Sequence, residues 1–110
     1  MLKINNKWVW DFWLANDNNK WYCYFLQADK SLKDPDLRHN NVTQGLATSK
    51  DLINWDYYGT VLSPSKKENF DDYTVWTGSI LNENSQWHYF YTGRNKSENG
   101  VKQRIGHALG

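Results

Sequence analysis

Two stretches decide the fold: "VWDFWLANDNNKWYCYF" at 9–25 and "VWTGSILNENSQWHYFY" at 75–91. They align without a gap. Val9-Trp10 lies over Val75-Trp76, Asn16 over Asn82, Asn18 over Asn84, and Trp21 over Trp87. Farther on, "QGLATS" at 44–49 matches "IGHALG" at 105–110 after a connection of different length. Self-similarity of this kind marks a repeated supersecondary unit, and the chain reads as about two copies, the second shorter.

Each copy reads as short strands and turns. "WVWDFWLA" is an apolar strand, and "NDNN" is a turn of residues that tolerate left-handed backbone. "KWYCYFLQ" is dense in strand formers, and a loop containing Pro35 follows. "VTQGLATS" is a third strand, "KDLINW" a short turn and "DYYGTVL" a fourth strand. The second copy repeats this as "TVWTGSIL", "NENS", "QWHYFYTG", a polar loop and "VKQRIGHALG". No segment sustains a helical period. Four antiparallel strands per unit is the pattern of β-propeller blades. The expectation is an all-β partial propeller, with blade one over 8–63 and an incomplete blade two over 73–110. An antiparallel sandwich is the alternative, but a sandwich needs no such repetition. Two blades cannot close a ring, so their open edges leave strand backbone and apolar faces exposed. The chain is therefore expected to be part of a longer protein, or to self-associate through those edges.

The 110 residues suit one small domain or part of a larger one. Hydrophobic residues are 39% and charged residues 23%, unlike a disordered chain. The net charge of +1 has no basic patch, so nucleic acid is not an expected partner. No apolar run reaches transmembrane length, and no membrane partner is expected. The first residues, "MLKINNKWVWDFW", show no secretory h-region and imply a cytoplasmic protein, unless a leader precedes them. Cys23 is the one cysteine, read as a small buried residue on a strand. No cysteine zinc site can be drawn, and neither metal nor cofactor is expected. Aromatic residues make up 16%, more than a core of this size requires, which suggests a surface for flat or sugar-like ligands. His88 and His107 lie on strands and read as satisfied core residues.

"VWDFW", "YFLQADKSLKDPDLRHNNVTQGLATSKDLINW", "VWTGS" and "YFYTGRNK" occur in this order from Trp8 onward. In order and spacing they resemble the N-terminal half of the five-bladed furanosidase propellers. These are glycoside hydrolase families 32 and 68, of invertase and levansucrase type, with family 43 a more distant cousin. The resemblance implies that Asp11, on the first inner strand, is the nucleophile of a retaining mechanism on β-fructofuranosides. It implies that "VWTGS" is a second inner strand lining the substrate pocket, with Trp76, Thr77 and Ser79 as candidate sugar contacts. Gly78 would let the backbone approach the ligand. "LRHNN" resembles the family's rim loop, which makes Arg38 and His39 candidate contacts. Trp10 and Trp13 flank the aspartate and are candidate walls for the sugar, with at least one expected in the blade core.

Two parts of the family's site are missing. Its Arg-Asp-Pro motif and its acid/base glutamate belong to later blades. "KDP" at 33–35 has Lys in place of Arg and is expected in a loop between outer strands. Glu68, Glu83 and Glu98 sit in polar loops, without the context of a buried acid. A nucleophile without its acid is a poor glycosidase, because the leaving group needs a proton. Three readings remain: part of a fructosidase not competent alone, a non-catalytic carbohydrate-binding module, or a self-assembling propeller module.

Overall fold

The structure is a computed structural model that describes residues 2–110. Seven strands form two antiparallel sheets. The first holds β1 (Lys7–Asp17), β2 (Lys20–Asp29), β3 (Thr43–Ser49) and β4 (Asp56–Leu62) in chain order. The second holds β5 (Thr74–Glu83), β6 (Gln86–Arg94) and β7 (Arg104–Leu109), also in chain order. Two up-and-down sheets of this kind are successive propeller blades, one of four strands and one of three. The radius of gyration is 14.4 Å. A compact domain of this length has about 13 Å, so the pair of blades is an open, flattened body.

Local chemistry explains the turns. Asn18 at φ 57° and Asn84 at φ 53° occupy left-handed backbone at equivalent hairpin tips, where asparagine is better tolerated than most residues. After β3, Asp51 Oδ1 accepts from the backbone N–H groups of Ile53 and Asn54, which folds "KDLINW" into its turn. The loop after β2 departs from the sequence reading. It carries two short 3-10 helices, η1 (Lys30–Leu32) and η2 (Pro35–Asn40). Asp34 caps η2 by accepting from the Asp36 N–H at 2.9 Å, and Pro35 starts it. The loop joins β2 to β3, strands that lie outside the inner β1, and its Arg38–His39 end reaches the cleft between the blades. "KDP" is thus a helix start, with Asp34 engaged as a cap.

Two layers hold the blades. On the outer face of the first sheet, Cys23, Phe25 and Ala47 are buried beneath Leu2, Ile4, Val9 and Trp55. Between the sheets, Trp13, Tyr24 and Tyr89 pack with ring centroids 5.0–6.3 Å apart. Beside them, buried Gln44 donates to the Trp76 carbonyl at 2.6 Å and accepts from the Tyr89 hydroxyl. One glutamine side chain therefore ties both blades together where a bare polar group would be costly. Burial pushes the Tyr89 phenol up, which keeps it a donor.

The histidines depart from expectation. His88 is half-buried and His107 exposed, and they are hydrogen-bonded to each other, Nδ1 to Nε2 at 2.9 Å. They lie on the outward face of the second sheet because β6 and β7 pair Phe90 with His107 and His88 with Leu109. Among the described residues no third sheet lies over that face, and the two rings stack on each other there with centroids 5.1 Å apart.

Candidate active site

The inner strands β1 and β5 share one irregularity. In β1 the register with β2 slips by one residue between Trp10 and Phe12, leaving Asp11 as the extra residue. In β5 the register with β6 slips by one between Trp76 and Ser79. Both slips fall at the same position of the repeat. A bulge bends its strand and re-aims a side chain, and bulges concentrate beside functional sites. Asp11 sits at φ 36°, a left-handed conformation rarely taken by residues other than glycine. Such strain costs about 1–3 kcal/mol and persists where surrounding structure enforces it.

The bulges bring Asp11 and its repeat equivalent, Thr77, together. Thr77 Oγ1 donates to Asp11 Oδ2 at 2.9 Å. Thr92 Oγ1 in turn donates to the Thr77 carbonyl at 3.1 Å. A cleft of about 450 Å³ opens at this point, lined by Trp10, Asp11, Leu26, Arg38, His39, Trp76, Thr77, Thr92 and Gln103. Its lining combines two indoles with the polar groups of Asp11, Arg38, His39, Thr77, Thr92 and Gln103, a composition that suits a sugar ring with one apolar face and several hydroxyls. Asp11 is the one carboxylate among these lining residues.

The η2 loop forms the rim. The Arg38 guanidinium lies 5.4 Å from the Trp10 ring centre, and its Nη1 donates to the Pro35 carbonyl at 2.8 Å. His39 meets Trp10 edge to face at 5.9 Å, and the His39 carbonyl accepts from Trp76 Nε1 at 2.8 Å. The loop of blade one is thereby bonded to the tryptophan of blade two.

Of the residues singled out in the sequence, Asp11, Trp10, Trp76, Thr77, Arg38 and His39 line this one cleft. Trp13 does not. It lies between the sheets against Tyr24 and Tyr89, with its indole nitrogen buried and unpartnered. Ser79 does not either. The bulge uses up one residue, so Ser79 pairs with Phe90 and is exposed on the outer side. Gly78 is required by the strand pairing itself, since a Cβ there would stand 1.7 Å from the Phe90 carbonyl oxygen. Glu98 is held by Arg104 through two hydrogen bonds and lies near Lys102. The Arg104 hydrogen bonds lower its carboxyl to about 2, so it is ionised at neutral pH and has no proton to give. Among the described residues, no group of three or more His, Cys, Asp or Glu is placed to hold a metal ion.

A family model for the N-terminal domain of glycosyl hydrolases family 32 matches residues 6–108. The chain belongs to glycosyl hydrolases family 32. An invertase of Wickerhamomyces anomalus is 32% identical over 84 residues, which cover 74% of this chain and 14% of the invertase. An extracellular sucrase of Zymomonas mobilis is 28% identical over 106 residues, covering 89% of this chain and 25% of the sucrase. The family 32 chain therefore spans a quarter or less of the length of these relatives. A solved family 117 glycoside hydrolase from Zobellia galactanivorans superposes with a TM-score of 0.78 at 18% identity, over 94% of this chain and 35% of that one. That likeness concerns fold alone.

Thr92, Gln103 and Arg94 were not singled out by sequence. Thr92 and Gln103 line the family 32 cleft, and Arg94 backs its Trp76 wall. Thr92 carries a signal in the repeat, since it stands opposite Trp76 as Leu26 stands opposite Trp10. Gln103 lies just outside β7 and carries none.

Proposed function

We propose that this chain supplies the nucleophile side of a β-fructofuranoside-processing site, with Asp11 as the nucleophile. The observation that carries the reading is the Asp11–Thr77 contact at matching bulges, inside a cleft walled by Trp10 and Trp76. Family membership supports a carbohydrate substrate, and the invertase and sucrase similarities support a fructoside such as sucrose or a fructan. Asp11 Oδ attacks the anomeric carbon and forms an ester bond as the bond to the leaving oxygen breaks. In a retaining site a second carboxyl group, about 5 Å from the first, protonates that oxygen and later activates water. Asp11 is the one carboxylate lining the cleft, and the Arg104 pair keeps Glu98 ionised. On this reading the acid comes from outside these 110 residues, and the chain alone does not turn over sucrose.

A donor whose leaving group needs no proton tests the assignment. With β-fructofuranosyl fluoride, wild type is expected to release fluoride faster than Asp11→Asn by about a hundredfold or more. Equal release by both proteins, or sucrose hydrolysis by Asp11→Asn, contradicts it.

A second set of observations bears on partners. Phe12 on blade one and Ile105 and Leu109 on blade two are 67%, 81% and 63% exposed. Open apolar sheet faces of this kind support association, with further blades or with a second copy of the chain. Light scattering that shows only monomer at high concentration removes the second-copy reading.

A further inference from the structure

Trp76 forms one wall of the cleft, and a wall indole is useful only if its plane is fixed. Two groups fix it. Its edge donates to the His39 carbonyl at 2.8 Å. Its face carries the Arg94 guanidinium, 3.7 Å from the ring centre. That distance is a close stack of two flat groups, well inside the range of cation–π attraction.

Arg94 is itself tied on three sides. Its Nε donates to Thr74 Oγ1 at 2.9 Å, its Nη1 to the Gly100 carbonyl at 3.2 Å, and its Nη2 to Asn40 Oδ1 at 2.6 Å. Thr74 begins β5, Gly100 belongs to the β6–β7 loop, and Asn40 ends η2 on the other blade. Gly100 sits at φ 68°, and a Cβ there would stand 3.0 Å from Arg94 Nη1 and 3.1 Å from Tyr73, so the loop is shaped around this side chain. Only a planar fork with several fixed donors makes these bonds while stacking on an indole; a lysine ammonium is a point charge on a flexible stem.

We propose that Arg94 is a positioning residue that sets the substrate wall. It holds the Trp76 plane and clamps the η2 rim of blade one onto blade two. It does not line the cleft, so it acts on a bound sugar through Trp76 and His39. This rests on the sugar-site reading above, but its first readout does not.

The test compares wild type, Arg94→Lys and Asn40→Ala by thermal unfolding, by the Trp76 indole N–H signal in NMR, and by fructose affinity. Arg94→Lys is expected to stay folded, to shift or broaden the Trp76 indole signal, and to weaken fructose binding about tenfold. Asn40→Ala removes one exposed arm and is expected to move the same signal less. An unmoved indole signal in both variants overturns the proposal, as does altered melting temperature with unchanged fructose affinity. If Arg94→Lys does not fold, Asn40→Ala alone decides, and an unmoved indole signal in it overturns the proposal. If wild type binds no fructose, the sugar reading fails, while the indole signal still reports whether Arg94 positions Trp76.

Discussion

Thr77 Oγ1 donates to Asp11 Oδ2 at 2.9 Å, and the two residues hold the same position in successive copies of the repeat. The contact links the inner strands of two blades and orients the carboxylate. Removing either side chain breaks it. A double-mutant cycle of Asp11→Ala and Thr77→Val in urea is expected to give a coupling of about 0.5–1 kcal/mol. A coupling of zero means that the contact adds nothing to the stability of the paired blades.

The β5 bulge depends on Gly78. With a Cβ 1.7 Å from the Phe90 carbonyl oxygen, β5 must move away from β6 or the ladder must open. Gly78→Ala is expected to cost more than about 2 kcal/mol, read as a lower urea midpoint. Ala at Gly110, which has open space around it, is the control and is expected to be neutral.

The strands were legible because alternating apolar residues and Asn-rich turns repeat in both copies. The bulges were hidden for the same reason. Each copy carries one extra residue at the same place, so the alignment stays free of gaps while the side-chain alternation breaks. That is why Asp11 shares the cleft with Trp10, and why Ser79 falls outside it. Trp13 was ambiguous because a tryptophan looks alike in sequence whether it packs on Tyr24 or on a ligand. Arg94 was illegible because its partners, Asn40, Trp76 and Gly100, come from separate elements.

Glu98 provides a pH test. Arg104 lowers its carboxyl to about 2 from an ordinary 4.5. A depressed carboxyl stabilises the fold above its unfolded value, and that contribution is lost as pH falls from about 4.5 through about 2. An NMR titration is expected to place the Glu98 midpoint near 2 and to return it toward the ordinary value in Arg104→Gln. The pair is at the surface, so added salt should weaken the effect.

Cys23 is 5% exposed, and burial pushes its thiol up to about 11. The thiolate is the reactive form, so a thiol reagent at pH 8 should label Cys23 slowly in the native chain and rapidly in denaturant. Fast native labelling means that the cover of Leu2, Ile4 and Trp55 over the first sheet opens readily.

The blades form a second cleft of about 380 Å³, lined by apolar and aromatic groups that include Tyr22, Tyr24, Trp87 and Tyr89. Its lining residues include no Asp or Glu side chain and none of the bulge residues. An NMR titration of the chain with a non-hydrolysed fructoside separates the two clefts directly. Movement of the Trp10 and Trp76 indole signals and the Thr77 amide, abolished in Asp11→Ala, is the predicted result. Movement of Trp87 alone, or the same response in Asp11→Ala, would contradict the placement of the sugar at Asp11.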